Sequence, residues 1–435
     1  MEEQIAGPKP KLFTRYQIFV IAVLAILQFT LVLDFMVLSP LGPILMEKLS
    51  ITTSQFGWVV SAYAFSAGAS GLLTAGFADK FDRKKLLLFF YVGFTVGTLL
   101  CALANDYHFL LMARIVTGLF GGVIGSISFA IITDLFKMEV RGRVMGFVQM
   151  AFATSQVMGL PIGLYLANKF GWHAPFFMIV GLCLIVGVAI VIHLKPITEH
   201  LKLRGDHNAF VHLGNTVSNR SYMRAFAATT LLATGGFMLM PFGSAFGVHN
   251  LGISLDQLPL LYLITGICSM IAGPLVGKYS DVIGKYRVFV IGSVVGMIMV
   301  IIYCNLGITP LWIIILLNVI LFIGISSRMI SASALMTAIP EAKDRGAFMS
   351  INASVQQIAG GIATFVAGLI VIETPSGYLE RYDMLGYTVS AAMILTIAMM
   401  YSVNRYVNQQ AAARTVATAA PGTSVSAVPV GTQDH

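Results

Sequence analysis

Apolar stretches long enough to cross a lipid bilayer recur along the whole of this 435-residue chain, and they restrict its fold more than any other feature. Twelve stand out, at approximately 17–42, 54–76, 86–105, 109–134, 144–168, 173–194, 223–249, 257–277, 287–305, 310–338, 347–372 and 384–404. A hydrocarbon core roughly 30 Å thick takes about 20 residues of helix at about 1.5 Å per residue, so each stretch is a span. Backbone groups in lipid must be satisfied within the segment, which makes the spans helices; a β-barrel would show alternating segments of about 10 residues. Composition agrees, with 57% apolar and only 11% charged residues, against about 25% charged in soluble domains. The sequence therefore predicts an all-α integral membrane protein.

The spans fall into two matching sets of six. The loop after the second span reads Ala75-Gly-Phe-Ala-Asp79-Lys-Phe-Asp82-Arg83-Lys84-Lys85, and the loop after the eighth reads Gly277-Lys-Tyr-Ser-Asp281-Val-Ile-Gly284-Lys285-Tyr-Arg287. Asp79 and Asp281 are 202 positions apart, as are Phe35 and Phe237, while Arg141-Gly142 and Arg345-Gly346 are 204 apart. The first span's Asp34-Phe-Met-Val-Leu-Ser-Pro40-Leu-Gly42 is echoed by Gly236-Phe-Met-Leu-Met-Pro241-Phe-Gly243. Three landmarks in nearly one register imply a duplicated unit, and so twelve transmembrane helices in two pseudo-symmetric six-helix bundles, a plan shared by transporters. The expected divisions are a polar segment 1–15, a bundle over 16–194, a linker over 195–222, a second bundle over 223–406 and a disordered tail over 407–435. The tail's Ala, Thr, Pro, Ser and Val bury little surface.

Basic residues give the orientation. Of 27 Lys and Arg, Lys48, Lys169 and Arg381 fall in one set of loops and Arg114 and Arg328 within spans, leaving 22 on the side that holds both termini. That bias marks the cytoplasmic side, so the net charge of +8 reports topology and not nucleic-acid binding. Residues 1–15 have no small-residue cleavage site after a short apolar core, so the first span is a retained anchor. Cys101, Cys183, Cys268 and Cys304 lie in spans at unrelated spacings, which indicates neither a disulfide framework nor a metal site.

Two six-helix halves with a Gly-x-x-x-Asp-x-x-Gly-Arg/Lys type loop after the second and eighth spans resemble the major facilitator superfamily over residues 15–406. Within it, Leu33-Asp34-Phe-Met running to Pro40-Leu-Gly42-Pro43, Gly159-Leu-Pro161-Ile-Gly163 and Ser327-Arg328-Met-Ile are similar to bacterial drug and sugar (arabinose-type) efflux permeases. The first loop departs from the pattern, with Ala75 and Asp82 at its two glycine positions, so a less tight turn is expected there. The fifth span also lacks the Gly-Pro followed by a glycine pair usual in drug–proton antiporters. The resemblance implies a cytoplasmic gate in which Asp79 meets the start of the eleventh span near Gly346 and Ala347, and Arg83 pairs with Asp134; Asp281, Lys285 and Arg287 are the second copy. A carboxylate facing a helix N-terminus is favourable on dipole grounds alone, although a solvated, topology-setting loop would carry the same residues.

Asp34 is the one carboxylate deep in the first span, where a charge costs at least ~2.5 kcal/mol unless it meets a partner or water. Antiparallel counting along helices 1 and 4 puts Arg114 in the same half of the membrane. Paired, the carboxylate is held ionised; unpaired in apolar surroundings, it takes up a proton, which is what proton coupling requires. The alternative is a permanent structural ion pair. Arg114 begins Arg114-Ile-Val-Thr-Gly118-x-x-Gly121-Gly122, whose glycines permit close helix approach. In the resembling family this arginine is associated with proton transfer. Arg328 has no carboxylate partner at its depth; either it holds an anionic substrate group or it bonds backbone carbonyls. Leu38, Tyr63, Gln149, Gln156, Phe237, Met240, Tyr262, Gln356 and Gln357 complete the expected substrate cavity, each with helix packing as its plainer role. His173, His193 and His249 lie near span ends and read as interfacial.

The sequence contains no phosphate-binding Gly-x-x-x-x-Gly-Lys-Ser/Thr loop, no His-Glu-x-x-His pair and no Gly-x-Ser-x-Gly elbow, so an enzyme is not expected. No cofactor is expected, and a proton gradient is the energy source. The expected partners are a small-molecule substrate, protons and the lipid bilayer, with no nucleic acid, for a monomer in the cell inner membrane with both termini cytoplasmic. The function these readings imply is alternating-access transport, proton-coupled efflux of a small amphipathic or sugar-like solute. Uptake by proton symport, lipid or lysolipid translocation, and a non-transporting sensor stay open at this stage.

Overall fold

The computed structural model describes residues 13–75, 80–198, 201, 209–340 and 344–419. Its first half comprises α1 (Arg15–Val37), α2 (Gly42–Leu49), α3 (Thr53–Ala75), α4 (Arg83–Leu103), α5 (Tyr107–Leu135), α6 (Met138–Thr154), α7 (Leu160–Phe170) and α8 (Ala174–His193). The second comprises α9 (Ala209–Ser218), α10 (Arg220–Phe237), α11 (Gly243–His249), α12 (Leu258–Ile283), α13 (Lys285–Cys304), α14 (Leu311–Met336), α15 (Arg345–Ile370) and α16 (Tyr382–Ala419). A two-residue antiparallel pair, β1 (Ile372–Glu373) with β2 (Leu379–Glu380), closes the turn between α15 and α16.

Eleven helices among the described residues are long and apolar enough to span a membrane, with α6 and α7 counted as one. The twelfth crossing is the seventh stretch, which was expected to be one helix over 223–249 and is instead broken: α10 ends at Phe237, a short 3-10 turn covers Met240–Phe242, and α11 follows. Pro241 causes the break, having no N–H to donate and a ring that crowds the preceding turn. The first stretch repeats this plan, since α1 stops at Val37, Pro40 occupies the turn, and α2 starts with Pro43 in its first turn. The internal repeat is thus a repeat of helix breaks as well as of sequence. In the fifth stretch Ser155–Gly159 forms a π-helical turn between α6 and α7. Pro161 cannot donate to the carbonyl four residues back, and the Ser155 hydroxyl donates to the Phe29 carbonyl at 3.1 Å, so the ladder widens there.

Two boundaries differ from the sequence expectation. Part of the expected linker, 209–218, is helix α9, and α16 continues past residue 407 to Ala419. Ala411, Ala412 and Ala413 are the best helix formers, which lets the turn started in the membrane propagate.

Small residues set the helix spacings. A Cβ built on Gly122 of α5 would lie 2.5 Å from Ala67 Cα of α3, and one on Gly97 of α4 would lie 2.8 Å from Thr117 Cα of α5. Between halves, α3 lies along α15, where a Cβ on Gly57 would come within 3.3 Å of Gly368 Cα. Large apolar side chains such as Val282, Phe170 and Ile185 are exposed, at 78%, 71% and 69%; in a chain of this composition they form the lipid-facing band and not a soluble surface.

Three side-chain hydrogen bonds join the halves among the described residues, all at the end away from the basic loops. Ser39 Oγ donates to the Met240 carbonyl, Thr53 Oγ1 to the Val371 carbonyl at 2.7 Å, and Asn168 Nδ2 to the Leu255 carbonyl at 2.9 Å. Phe56 meets Phe242 edge-on, with centroids 5.8 Å apart. This far end is closed.

Gly122→Ala is expected to destabilise the protein by about 1–3 kcal/mol, since the added methyl overpacks a backbone contact. Gly125→Ala, at a position with no neighbour within 4 Å, is expected to be neutral or slightly stabilising. Thermal unfolding in detergent compares the two directly.

Candidate functional site

Asp34 sits in the last turn of α1 and Arg114 near the start of α5, and both are 0% exposed. Arg114 Nη1 donates to Asp34 Oδ2 at 2.8 Å, and Thr98 Oγ1 of α4 donates to Asp34 Oδ1 at 3.2 Å. The Arg114 guanidinium carbon lies 4.6 Å from the centre of the Tyr63 ring of α3, close enough for a cation–π contact. Four helices thus converge on one charge pair.

The sequence builds this site through its glycines. A Cβ on Gly118 would meet Tyr63 Cα at 2.9 Å, and the Gly97–Thr117 approach draws α4 against α5. The first contact brings the Tyr63 ring under Arg114; the second brings Thr98 to Asp34. The glycines of the fourth span pack helices, and that packing is what positions the arginine. Cys101 Sγ lies 3.6 Å from Thr117 Oγ1 beside the pair.

The pair is incompletely satisfied. Contact is through one guanidinium nitrogen, and Arg114 Nε and Nη2 have no partner. A guanidinium can donate five hydrogen bonds, and a buried charge is stabilised only when its remaining donors are satisfied. Tyr91, in the same bundle, likewise keeps a buried hydroxyl without a partner.

At the basic end Arg83 Nε donates to Asp134 Oδ2 at 3.2 Å, with side chains 7% and 19% exposed. Asp82 caps α4, accepting from the Lys84 N–H at 2.9 Å and from the Ile197 N–H at 3.0 Å. The carboxylate thereby holds the segment after α8 against the start of α4; residues 76–79 of the turn itself lie outside the described residues. Arg141 donates to the carbonyls of Phe136 at 2.8 Å and Thr133 at 2.6 Å, capping the end of α5. Asp79 lies outside the described residues, and so does its expected contact. The second copy is not assembled in the same way, because Asp281 and Arg287 are exposed, Lys285 is half-buried, and none is in an ion pair among the described residues.

The expected cavity residues divide. Phe237 packs 5.8 Å from Phe35, which is 5.4 Å from Tyr63, so these aromatic rings run from the Arg114 site to the second half. Gln156 abuts α12, its carbonyl carbon 3.1 Å from a Cβ built on Gly266. Leu38 is fully buried, and the Met240 carbonyl is in the far-end seal. Tyr262 is hydrogen-bonded to Ser244 at 2.6 Å. Gln356 and Gln357 are half-buried and Gln149 is exposed. Arg328 is 3% exposed, remote from any paired carboxylate among the described residues, with Nε and Nη2 unpartnered. His173 bonds the Ala104 carbonyl at 2.9 Å at the far end. Thr98 was not singled out from sequence; its position one face-turn from Cys101 on an apolar helix carried no signal.

Two broken-helix repeats, a charge pair buried in one of them and a closed far end define a multi-pass membrane transporter. The sequence model of the Major Facilitator Superfamily matches residues 24–364 and 225–427, and the chain belongs to that family. It is 26% identical over 262 residues to the uncharacterized MFS-type transporter YceJ of Bacillus subtilis, covering 60% of this chain and 66% of that one. With Multidrug resistance protein 3 of the same organism it shares 30% identity over 159 residues, 37% of this chain and 31% of that one. The alignments therefore span about two thirds of YceJ's length and under a third of Multidrug resistance protein 3. In fold it is similar to a bacterial homologue of the human lysosomal transporter Spinster in an inward-facing, unoccupied conformation, with TM-score 0.73, 15% identity and 93% and 99% of the two chains covered. It is also similar to a D-xylose–proton symporter, with TM-score 0.72, 16% identity and coverage of 88% and 97%.

Arg114→Gln, which strands a buried carboxylate, is expected to cost about 3–5 kcal/mol. Arg83→Gln, at a pair whose side chains are 7% and 19% exposed, should cost less, about 1.5–3 kcal/mol. Comparative denaturation of the two variants checks the ordering.

Proposed function

We propose that this chain is a proton-coupled secondary transporter that exports a small amphipathic or sugar-like solute by alternating access. The observation that carries the reading is the fully buried Asp34–Arg114 pair, held through one guanidinium nitrogen, whose spare donors leave it able to change partners. Names of relatives support it at the level of class, since two in Bacillus subtilis are multidrug resistance proteins.

In this reading the closed far end faces out and the basic end faces the cytoplasm of a bacterial inner membrane, with both termini inside. Solute enters from the basic end and meets the aromatic chain Tyr63–Phe35–Phe237. Movement of Phe35 is felt one residue away at Asp34, and Phe237 belongs to the other half. As the halves rock, α1 shifts against α5, the Asp34–Arg114 bond lengthens, and a carboxylate without its cation in apolar surroundings takes a proton. Return of the guanidinium expels it. Proton and solute thus alternate without touching each other, the proton on Asp34 and the solute against the aromatic chain. The Arg83–Asp134 pair and the Asp82 clamp keep the basic end of the first half rigid while this happens. The protein acts as a monomer with no bound cofactor.

Purified protein in weakly buffered detergent solution, given a panel of amphipathic cations, carboxylic acids and sugars, is expected to release protons on binding its solute. Asp34→Asn should bind the same solute with no proton release. Proton uptake in place of release would reverse the coupling to symport; binding with no proton exchange in the wild type would refute proton coupling at this site.

A further inference from the structure

The second half buries a cation without an anion. Arg328 is 3% exposed, is held on α14 where a Cβ built on Gly292 of α13 would lie 3.3 Å from its backbone nitrogen, and keeps Nε and Nη2 without a partner. Its nearest aromatic ring, Phe289, is 5.9 Å away, near the limit for a cation–π contact. A guanidinium stays charged in proteins, so it cannot escape the cost of burial by losing its proton. Leaving such a charge uncompensated in a bilayer is costly enough that the site calls for a counter-charge.

The surroundings show where that counter-charge belongs. A Cβ built on Gly235 of α10 would lie 3.5 Å from both Nη1 and Nη2 of Arg328, so the guanidinium edge faces bare helix backbone. Next to it, a Cβ on Gly236 would meet nothing within 4 Å. Gly236 stands at the position 202 residues after Asp34. Where the first half carries its own carboxylate, the second half has two glycines, open space and an unpaired arginine. Ser331, one turn after Arg328 and fully buried, adds a hydroxyl with no hydrogen-bond partner. Backbone carbonyls are not an adequate substitute, because two of the three guanidinium nitrogens have no acceptor. The break in α10 after Phe237 leaves the glycine pair next to the inter-half aromatic chain, on the solute's side of the bundle.

We infer that Arg328, with the open space beside it at Gly236, is an anion subsite, and that the transported solute carries a carboxylate that docks there. This inference rests on the transport reading above and specifies its substrate class. A planar carboxylate matches the guanidinium fork with two parallel hydrogen bonds. The two halves would then divide the work, the first handling the proton through its own carboxylate and the second handling the solute's.

The test uses the full chain in detergent at constant ionic strength, with two matched pairs of probes: benzoate against benzamide, and gluconate against glucose. An upward shift in melting temperature with benzoate or gluconate, absent with the neutral member, is expected for the wild type; which pair responds separates an aromatic acid from a sugar acid. Arg328→Gln should weaken that binding at least tenfold, and Arg328→Lys, which keeps the charge but loses the fork, by less. Gly235→Asp supplies an internal carboxylate and should melt no lower than wild type while losing the probe response. If Gly235→Asp does not fold, the two Arg328 variants still decide the matter by direct titration. Equal shifts from charged and neutral probes, no shift from either carboxylate, or an undiminished response in Arg328→Gln would overturn the inference. Asp34→Asn run alongside separates the two readings, since it should retain the carboxylate response and lose only proton release. A wild type that binds carboxylate without exchanging protons would remove proton coupling and leave the anion subsite standing.

Discussion

The salt bridge between Asp34 and Arg114 is the interaction around which the first half is organised. Each residue is costly alone at this depth, and the pair is accommodated because Gly97, Gly118 and Gly122 let α3, α4 and α5 approach closely enough to deliver Thr98 and Tyr63 to it. Helices in lipid associate by such close packing and by polar contacts, since there is no hydrophobic gain from leaving the lipid. Packing and electrostatics are therefore one device here. Two guanidinium nitrogens of the pair have no partner, which is why we propose that it opens during transport.

The pseudo-symmetry is one of backbone and not of chemistry. Both halves break their first helix at a proline, Pro40 and Pro241, and the two breaks meet through Ser39 and the Met240 carbonyl at the closed far end. The polar residues around that shared frame differ. The first half has an internal carboxylate and an assembled Arg83–Asp134 bridge; the second has glycine at the matching position, a buried arginine with no carboxylate partner among the described residues, and exposed Asp281 and Arg287. Duplication supplied the scaffold, and in the proposed function the division of chemistry between halves gives a symmetric fold a direction of work.

Much of this was legible in the sequence, for physical reasons that also explain what was not. Hydropathy located the spans because lipid filters for apolar runs, and the depth argument brought Asp34 and Arg114 together because helical rise is constant. The interruptions were harder. Pro241 and Pro161 were visible, but whether a proline breaks, kinks or widens a helix depends on what neighbouring helices offer the freed carbonyls, as Ser155 and Phe29 show. Asp82 in place of glycine predicts a less tight turn; that its carboxylate also caps α4 and accepts from the Ile197 N–H, a partner 115 residues away, no local pattern reveals. The tail was read as disordered from composition, yet its alanines extend α16 to Ala419. The cavity residues were the least legible, because which way a polar side chain faces on an apolar helix depends on helix rotation, which hydropathy does not encode.

The central claim is that Asp34 changes protonation as its bond to Arg114 opens and closes. Infrared difference spectroscopy of the reconstituted protein, stepped between neutral and acidic pH, reads the stretch of a protonated carboxyl group directly. The account requires a band that appears on acidification, is missing in Asp34→Asn, and moves to higher pH in Arg114→Gln. A spectrum in which Asp34→Asn removes no band, so that the carboxylate stays ionised and paired throughout, would make the pair a fixed structural bridge and contradict the account.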